Sequence, residues 1–128
     1  MKNCIFCKIV KGEIPAVKIW EDEKYYVFLD ENPINPGHTL VVPKKHTDYV
    51  FDLTDDEYSE LMLTAKKISK KIKYKMKPKK VGMVIEGFGV PHIHVHLIPI
   101  NHGNELNPEN AKPAKKEELE DVGKRLRG

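Results

Sequence analysis

Three histidines stand at alternate positions in "GVPHIHVHLIPI", Gly89 to Ile100, of a chain that holds only six. In extended backbone His92, His94 and His96 project to one side, and Ile93, Val95 and Leu97 to the other. The aliphatic side suits a core. Each imidazole has two ring nitrogens that need partners if buried, so the three histidines must share a polar site. Three kinds of chemistry fit such a site. A neutral imidazole can attack an electrophile while its second nitrogen is oriented by a carbonyl. All three rings can instead hold a catalytic metal, or they can form a structural polar cluster. A second group lies near the N-terminus, where Cys4 and Cys7 form a lone C-x-x-C. In a reducing compartment that spacing points to metal or redox work more than to a structural disulfide.

The elements that must position these groups follow from periodicity and punctuation. "AVKIW" and "KYYVFL" read as two strands joined at Glu21 to Glu23. "ENPINPG" breaks the chain, and "HTLVVP" follows as a third strand covered on both faces. Thr54 and Glu57 have capping-box spacing, with Asp55 and Asp56 adding favourable charge to a first helical turn. The spacing of Tyr58, Leu61, Met62, Ala65, Ile68 and Ile72 predicts one apolar helix face running from Asp55 to Met76, ended by Pro78. "VGMVI" is a fourth strand and "HIHVHLIPI" a fifth. The last segment, "KPAKKEELEDVGKRLRG", has Leu119, Val122 and Leu126 as its apolar stripe and reads as a short surface helix that frays at its end.

Size and composition bound the function. With 128 residues, 40% apolar and 32% charged, the chain has the makings of one soluble domain. No apolar run reaches the length of a membrane span, and "MKNCIFCKIVKGEIP" is interrupted by lysines too early for a secretory signal, which leads to a cytoplasmic reading without a membrane partner. The net charge of +3 is mild. Lys66, Lys67, Lys70, Lys71 and Lys73 lie opposite the apolar helix face without interleaved aromatics. They read as a solvated face, and nucleic acid is not the expected partner.

"HIHVHLIP" resembles the H-φ-H-φ-H-φ-φ pattern of the histidine triad (HIT) family of nucleotidyl hydrolases and transferases. "CIFCKIVKGEIPA" and "VFLDENPINPGHTLVVPKKH" resemble its upstream motifs in the family's order, so the likeness covers residues 3 to 100. It implies an α+β fold, with an antiparallel five-stranded sheet, one long helix and short flanking helices. Residues 1–102 would be the histidine triad domain and 103–128 a charged C-terminal tail. By this resemblance His94 is the nucleophile that attacks the α-phosphorus of a purine nucleotide, adenosine above others, and forms a covalent nucleotidyl-histidine. His96 resembles the residue that hydrogen-bonds the phosphoryl oxygens or the bridging atom, and His38 a fourth histidine supporting the nucleophile. Asp30 matches the acid that binds both ribose hydroxyls, while Ile5, Phe6, Phe28 and Leu29 resemble the apolar walls around the base. Cys4, Cys7, His46 and His92 match a zinc set found in one branch of the family. Such a zinc would be structural, with no cofactor required for the chemistry, and the triad member His92 would be held by it. The resemblance also implies a two-fold homodimer, the long helix meeting its mate and the sheets joining edge to edge.

The chain departs from the pattern before the triad. Many members carry a Gly-Gln-Ser/Thr or similar group there that contacts phosphate. Here Gly87, Phe88, Gly89, Val90 and Pro91 supply no side-chain donor, which assigns phosphate contacts to backbone N–H groups. Ile85 stands where an asparagine is often found. The activity expected is that of a phosphoramidase or nucleotide hydrolase, with a dinucleoside polyphosphate hydrolase as the alternative. A zinc-dependent module that binds nucleic acid or protein accounts for the lysines but leaves the triad unused, and a three-histidine metallohydrolase leaves the cysteines idle.

Overall fold

The capping box at Thr54 forms as its spacing predicts: Thr54 Oγ1 accepts the Glu57 N–H at 3.1 Å, and Glu57 Oε1 accepts the Thr54 N–H at 2.9 Å. It starts a 22-residue helix, α2 (Asp55–Met76), which stops where Lys77 turns left-handed at φ 56° just before Pro78. Leu61, Ala65, Ile68 and Ile72 are buried along it. The stripe is narrower than expected, because Tyr58 is 37% exposed and Met62 only half-buried. Burying a Leu or Ile side chain contributes about 1.5–3 kcal/mol, enough for these residues to fix which face of α2 meets the sheet.

The computed structural model describes residues 3–128. Its sheet consists of β1 (Lys18–Glu21), β2 (Tyr25–Leu29), β3 (Thr39–Pro43), β4 (Lys80–Val84) and β5 (Val95–Ile100), in the spatial order β1-β2-β3-β5-β4 with every pair antiparallel. Alternation divides its side chains. Tyr25, Val27, Leu29, Val41, Val95 and Leu97 join the core under α2, and Phe28, Leu40 and Val42 face the other way, against α1 (Ile5–Val10). All five residues of β3 are buried, as expected of a strand covered on both faces. Met83, half exposed, sits on β4 at one edge of the sheet.

β5 begins at Val95, three residues later than the histidine pattern predicts. The register supplies the reason. Val41 pairs with Val95, so two residues further on Pro43 comes opposite Ile93. Pro43 has no N–H to give the ladder, and its carbonyl is taken by the His92 ring at 2.7 Å. The Ile93 N–H goes instead to the Thr47 carbonyl, 2.8 Å away. Alternation persists through this extended run, with Ile93 buried under α2.

The C-terminal segment also differs from a fraying surface helix. It forms α3 (Lys116–Arg127), which packs on β1 and α2 and inserts Leu126, fully buried, into the same core as Leu61 and Ile68. No helix is long and apolar enough to cross a membrane among the described residues.

Candidate active site and metal centre

Four potential metal donors come together from three parts of the chain. Cys4 is the N-cap of α1 and Cys7 lies in its first turn, so one short helix places both thiols side by side. His46 follows β3, and His92 precedes β5. Their Sγ and Nδ1 atoms all lie within 4.8 Å of one another. Cys4 Sγ is 3.3 Å and Cys7 Sγ 3.6 Å from His92 Nδ1, and Cys7 Sγ is 3.4 Å from His46 Nδ1. A tetrahedral zinc with Zn–S of about 2.3 Å and Zn–N of about 2.0–2.1 Å has sulfur–nitrogen edges of about 3.5 Å. The donor set therefore fits a closed Cys₂His₂ zinc site. The His92 ring is prepared for this role: its Nε2–H donates to the Pro43 carbonyl, which leaves the Nδ1 lone pair facing the thiols. Both cysteines are free thiols.

On the other side of His92, hydrogen bonds orient the rings of His94, His38 and His96. His94 Nδ1 lies 2.8 Å from the His92 carbonyl oxygen, which can only accept, so Nδ1 carries a proton and, in the neutral tautomer, the lone pair is on Nε2. The Ile34 N–H donates to His38 Nδ1 at 3.0 Å, so the proton of a neutral His38 is on Nε2. His38 Nε2–H points at His96 Nδ1, 2.9 Å away, and His96 in turn keeps its proton on Nε2. Burial pushes the pKa of His38 down to about 4. Burial, helped by neighbouring His94 and His38, does the same to His96. Both rings are thus neutral near pH 7, as the single-proton relay requires.

Asp30, at the end of β2, closes this chain. Its Oδ2 lies 3.5 Å from His38 Nε2 and 4.0 Å from His96 Nδ1, and its Oδ1 accepts the Asn32 N–H at 2.9 Å. Burial raises the Asp30 carboxyl above its ordinary range, while the Asn32 N–H works against that rise. With His38 neutral, its contact with Asp30 is dipolar rather than an ion pair.

These groups line a cleft of about 1080 Å³ on the face of the sheet away from α2. Ile5, Phe6, Phe28, Leu29, Asp30, His38, His94 and His96 all border it, so the expected nucleotide and triad residues are brought together there; Cys4, Cys7, His46 and His92 form the separate cluster behind it. Phe6 links the two groups, its ring meeting His94 edge-on at 4.9 Å between centroids, His92 at 5.9 Å and Phe28 at 5.8 Å. Leu29 divides its contacts, being buried in the core under α2 as well as bordering the cleft. Gly87, with φ +86°, turns the connection before the triad so that Gly87 to Val90 border the opening.

Part of the cleft wall was not foreseen. Leu106, Pro108 and Ala111, from the segment between β5 and α3, line it as well. Leu106 approaches β4 over Gly82, where a Cβ would meet its Cδ2 at 2.9 Å. The sequence signals this only faintly, as isolated apolar residues without periodicity around an Asn-Pro step.

An open five-stranded antiparallel sheet with a cluster of hydrogen-bonded histidines beside a Cys₂His₂ cluster defines a narrow class of protein, and the comparisons agree with it. A family model described as HIT domain matches residues 11–103, and the chain belongs to that family. It is 43% identical over 106 residues to an uncharacterized HIT-like protein of Methanocaldococcus jannaschii, covering 79% of this chain and 81% of that one. It is 41% identical over 106 residues to a Candida albicans protein named adenosine 5'-monophosphoramidase, covering 76% of this chain and 70% of the relative. Among solved structures, a Bartonella henselae HIT-like protein superposes with a TM-score of 0.88 at 32% identity, covering 99% of this chain and 96% of the other. A zinc-bound histidine triad family protein of Mycobacterium smegmatis gives 0.83 at 30% identity, covering 98% and 91%.

Proposed function

We propose that this protein is a nucleotide hydrolase that cleaves a phosphoramidate or phosphoanhydride bond at the α-phosphate of purine nucleotides, adenosine above others, through a covalent intermediate on His94. The observation that carries this reading is the hydrogen bond from His94 Nδ1–H to the His92 carbonyl, which makes Nε2 the nitrogen that bears the nucleophilic lone pair of the neutral ring. In the first step the Nε2 lone pair forms an N–P bond. The bond from phosphorus to the leaving group breaks, and the leaving group departs with that electron pair and takes a proton from water. In the second step water attacks phosphorus, the P–N bond returns its electrons to Nε2, and a proton goes to solvent.

Other residues bind and orient. The Nε2–H of His96 hydrogen-bonds a phosphoryl oxygen or the bridging atom, and His38 keeps that proton in place through His96 Nδ1. Asp30 accepts from the ribose hydroxyls, and Ile5, Phe6, Phe28 and Leu29 bound the base. Backbone N–H groups of Gly87 to Val90 serve the phosphate. The wall favours a phosphoramidate over a dinucleoside polyphosphate, since Asp30, Glu31, Glu86 and Glu120 border the cleft against Lys116 alone.

Cys4, Cys7, His46 and His92 would hold a structural zinc that takes no part in bond making and fixes the residue whose carbonyl orients the nucleophile. The chemistry lies within residues 1–102, and the tail 103–128 adds wall and core. The working form is a cytoplasmic homodimer in which β4 meets its copy, an arrangement that protects an open sheet edge. Replacing His94 with Ala tests the reading: turnover of adenosine phosphoramidate is lost and nucleotide affinity stays near its original level. Substantial residual hydrolysis would contradict it.

A further inference from the structure

The loop from Asp30 to His38 carries two residues of the proposed site, and it is fastened at a place where no substrate is expected. Asn35 lies at the turn of this loop. Its side-chain amide has two N–H groups, and both are used: Nδ2 lies 2.8 Å from the Pro99 carbonyl at the end of β5 and 2.7 Å from Glu105 Oε2 in the tail. The other oxygen of Glu105 is engaged just as fully, accepting the backbone N–H groups of Asn101 and of His102, the latter at 2.8 Å. These contacts hold the Glu105 carboxyl down to about 2, with the Asn101 N–H contributing most, then the Asn35 amide, so it is ionised at any working pH. Asn35 is tied to the relay from the other side as well. Its carbonyl accepts the His38 N–H at 3.0 Å, and its neighbour Ile34 gives the N–H that sets the His38 tautomer. Further along, the tail is strapped to the same loop by Lys112 N–H to the Pro33 carbonyl and Ala114 N–H to the Glu31 carbonyl.

We propose that Asn35 and Glu105 are positioning residues: the Glu105 carboxylate, fixed by the end of β5, holds the Asn35 turn so that His38 presents Nε2–H to His96. The C-terminal segment thereby takes part in setting the proton pattern of a site it does not enter with any catalytic residue. The inference rests on the reading of His96 as a donor to the phosphoryl group. Its physical basis is that carboxylate and amide meet in the one arrangement in which every donor faces an acceptor. Exchanging either for its isostere breaks this match without changing its size. Asn35→Asp sets a carboxylate against the Glu105 carboxylate and the Pro99 carbonyl. Glu105→Gln sets N–H groups against either Asn35 Nδ2 or the Asn101 and His102 N–H groups.

The test is long-range proton–nitrogen NMR of the imidazoles in the full chain without nucleotide, with turnover of adenosine phosphoramidate measured in parallel. In the original protein His38 and His96 each show an unprotonated Nδ1 and a protonated Nε2. In Asn35→Asp and in Glu105→Gln, His96 becomes a mixture of tautomers, and kcat falls about tenfold or more. In the double variant the new amide can donate to the new carboxylate while its oxygen still accepts from Asn101 and His102. The His96 pattern and kcat then recover toward the original despite the lost Pro99 contact. Unchanged His96 tautomers in the single variants would overturn the proposal, and so would a double variant no better than the singles. If the original protein turns over no nucleotide, the functional reading fails, and the NMR pattern still decides this inference by itself.

Discussion

The carbonyl oxygen of His92 accepts the Nδ1–H of His94 at 2.8 Å, while the ring of the same His92 places Nδ1 3.3 Å from Cys4 Sγ. One residue thus belongs to both the thiol cluster and the support of the His94 ring. Fixing the ring of His92 from one side fixes its backbone, and the backbone fixes the tautomer of His94.

Loss of the metal should be felt first as stability. Protein purified under reducing conditions should carry one zinc per chain, absent after Cys4→Ser and retained after His94→Ala. Chelation or Cys4→Ser should lower the melting temperature by roughly 10 °C or more, because binding energy of a structural metal is folding energy. Elemental analysis and a thermal melt check this; an unchanged melt on chelation would remove zinc from the account.

Stability should fall as pH drops from about 6.5 to about 4. His38 and His96 have pKa values near 4 in the folded chain against an ordinary 6.5, so the unfolded chain binds more protons across that interval. Their contribution is complete above 6.5 and lost as pH passes down through 4. Asp30, raised by burial, acts with the opposite sign, and two histidines outweigh it. Denaturant midpoints at several pH values give the slope. The decline should shrink when His38 is replaced by Gln, which needs no proton to be uncharged.

Much of this architecture was legible from residue types. The capping box at Thr54 and Glu57, the break at Pro78 and the alternation of Ile93, Val95 and Leu97 each act locally, and each gave its element. The boundary of β5 was not legible, because it depends on Pro43 arriving opposite Ile93 through the β3 register. The tail misled for a related reason. Leu126 sits in a charged segment with a thin apolar stripe, and only tertiary packing against β1 and α2 shows it to be core. Asn35 and Glu105 gave no signal, since a single amide and a single carboxylate 70 positions apart have no pattern to detect.

Leu126→Ala should destabilise the protein by about 2–5 kcal/mol, because its side chain is fully buried in the core under α2. A frayed surface helix would show a change within about 0.5 kcal/mol. Urea unfolding distinguishes the two.

The assembly should be a dimer of identical chains with two separate sites. β4 lies at the sheet edge with Met83 half exposed, and Tyr58 and Leu63 add exposed apolar surface on α2. Light scattering at micromolar concentration should give the mass of two chains, whereas a monomer mass with full activity would reject the arrangement.

The central claim is that His94 Nε2 bonds to phosphorus. Brief incubation with an adenosine phosphoramidate labelled at the α-phosphate, quenched in denaturant and analysed by mass spectrometry, measures it directly. The account predicts one adenylyl group per chain, on the peptide containing His94, lost in mild acid and absent from His94→Ala. Steady turnover with no protein-bound label at the earliest times, or label retained in His94→Ala, would contradict it.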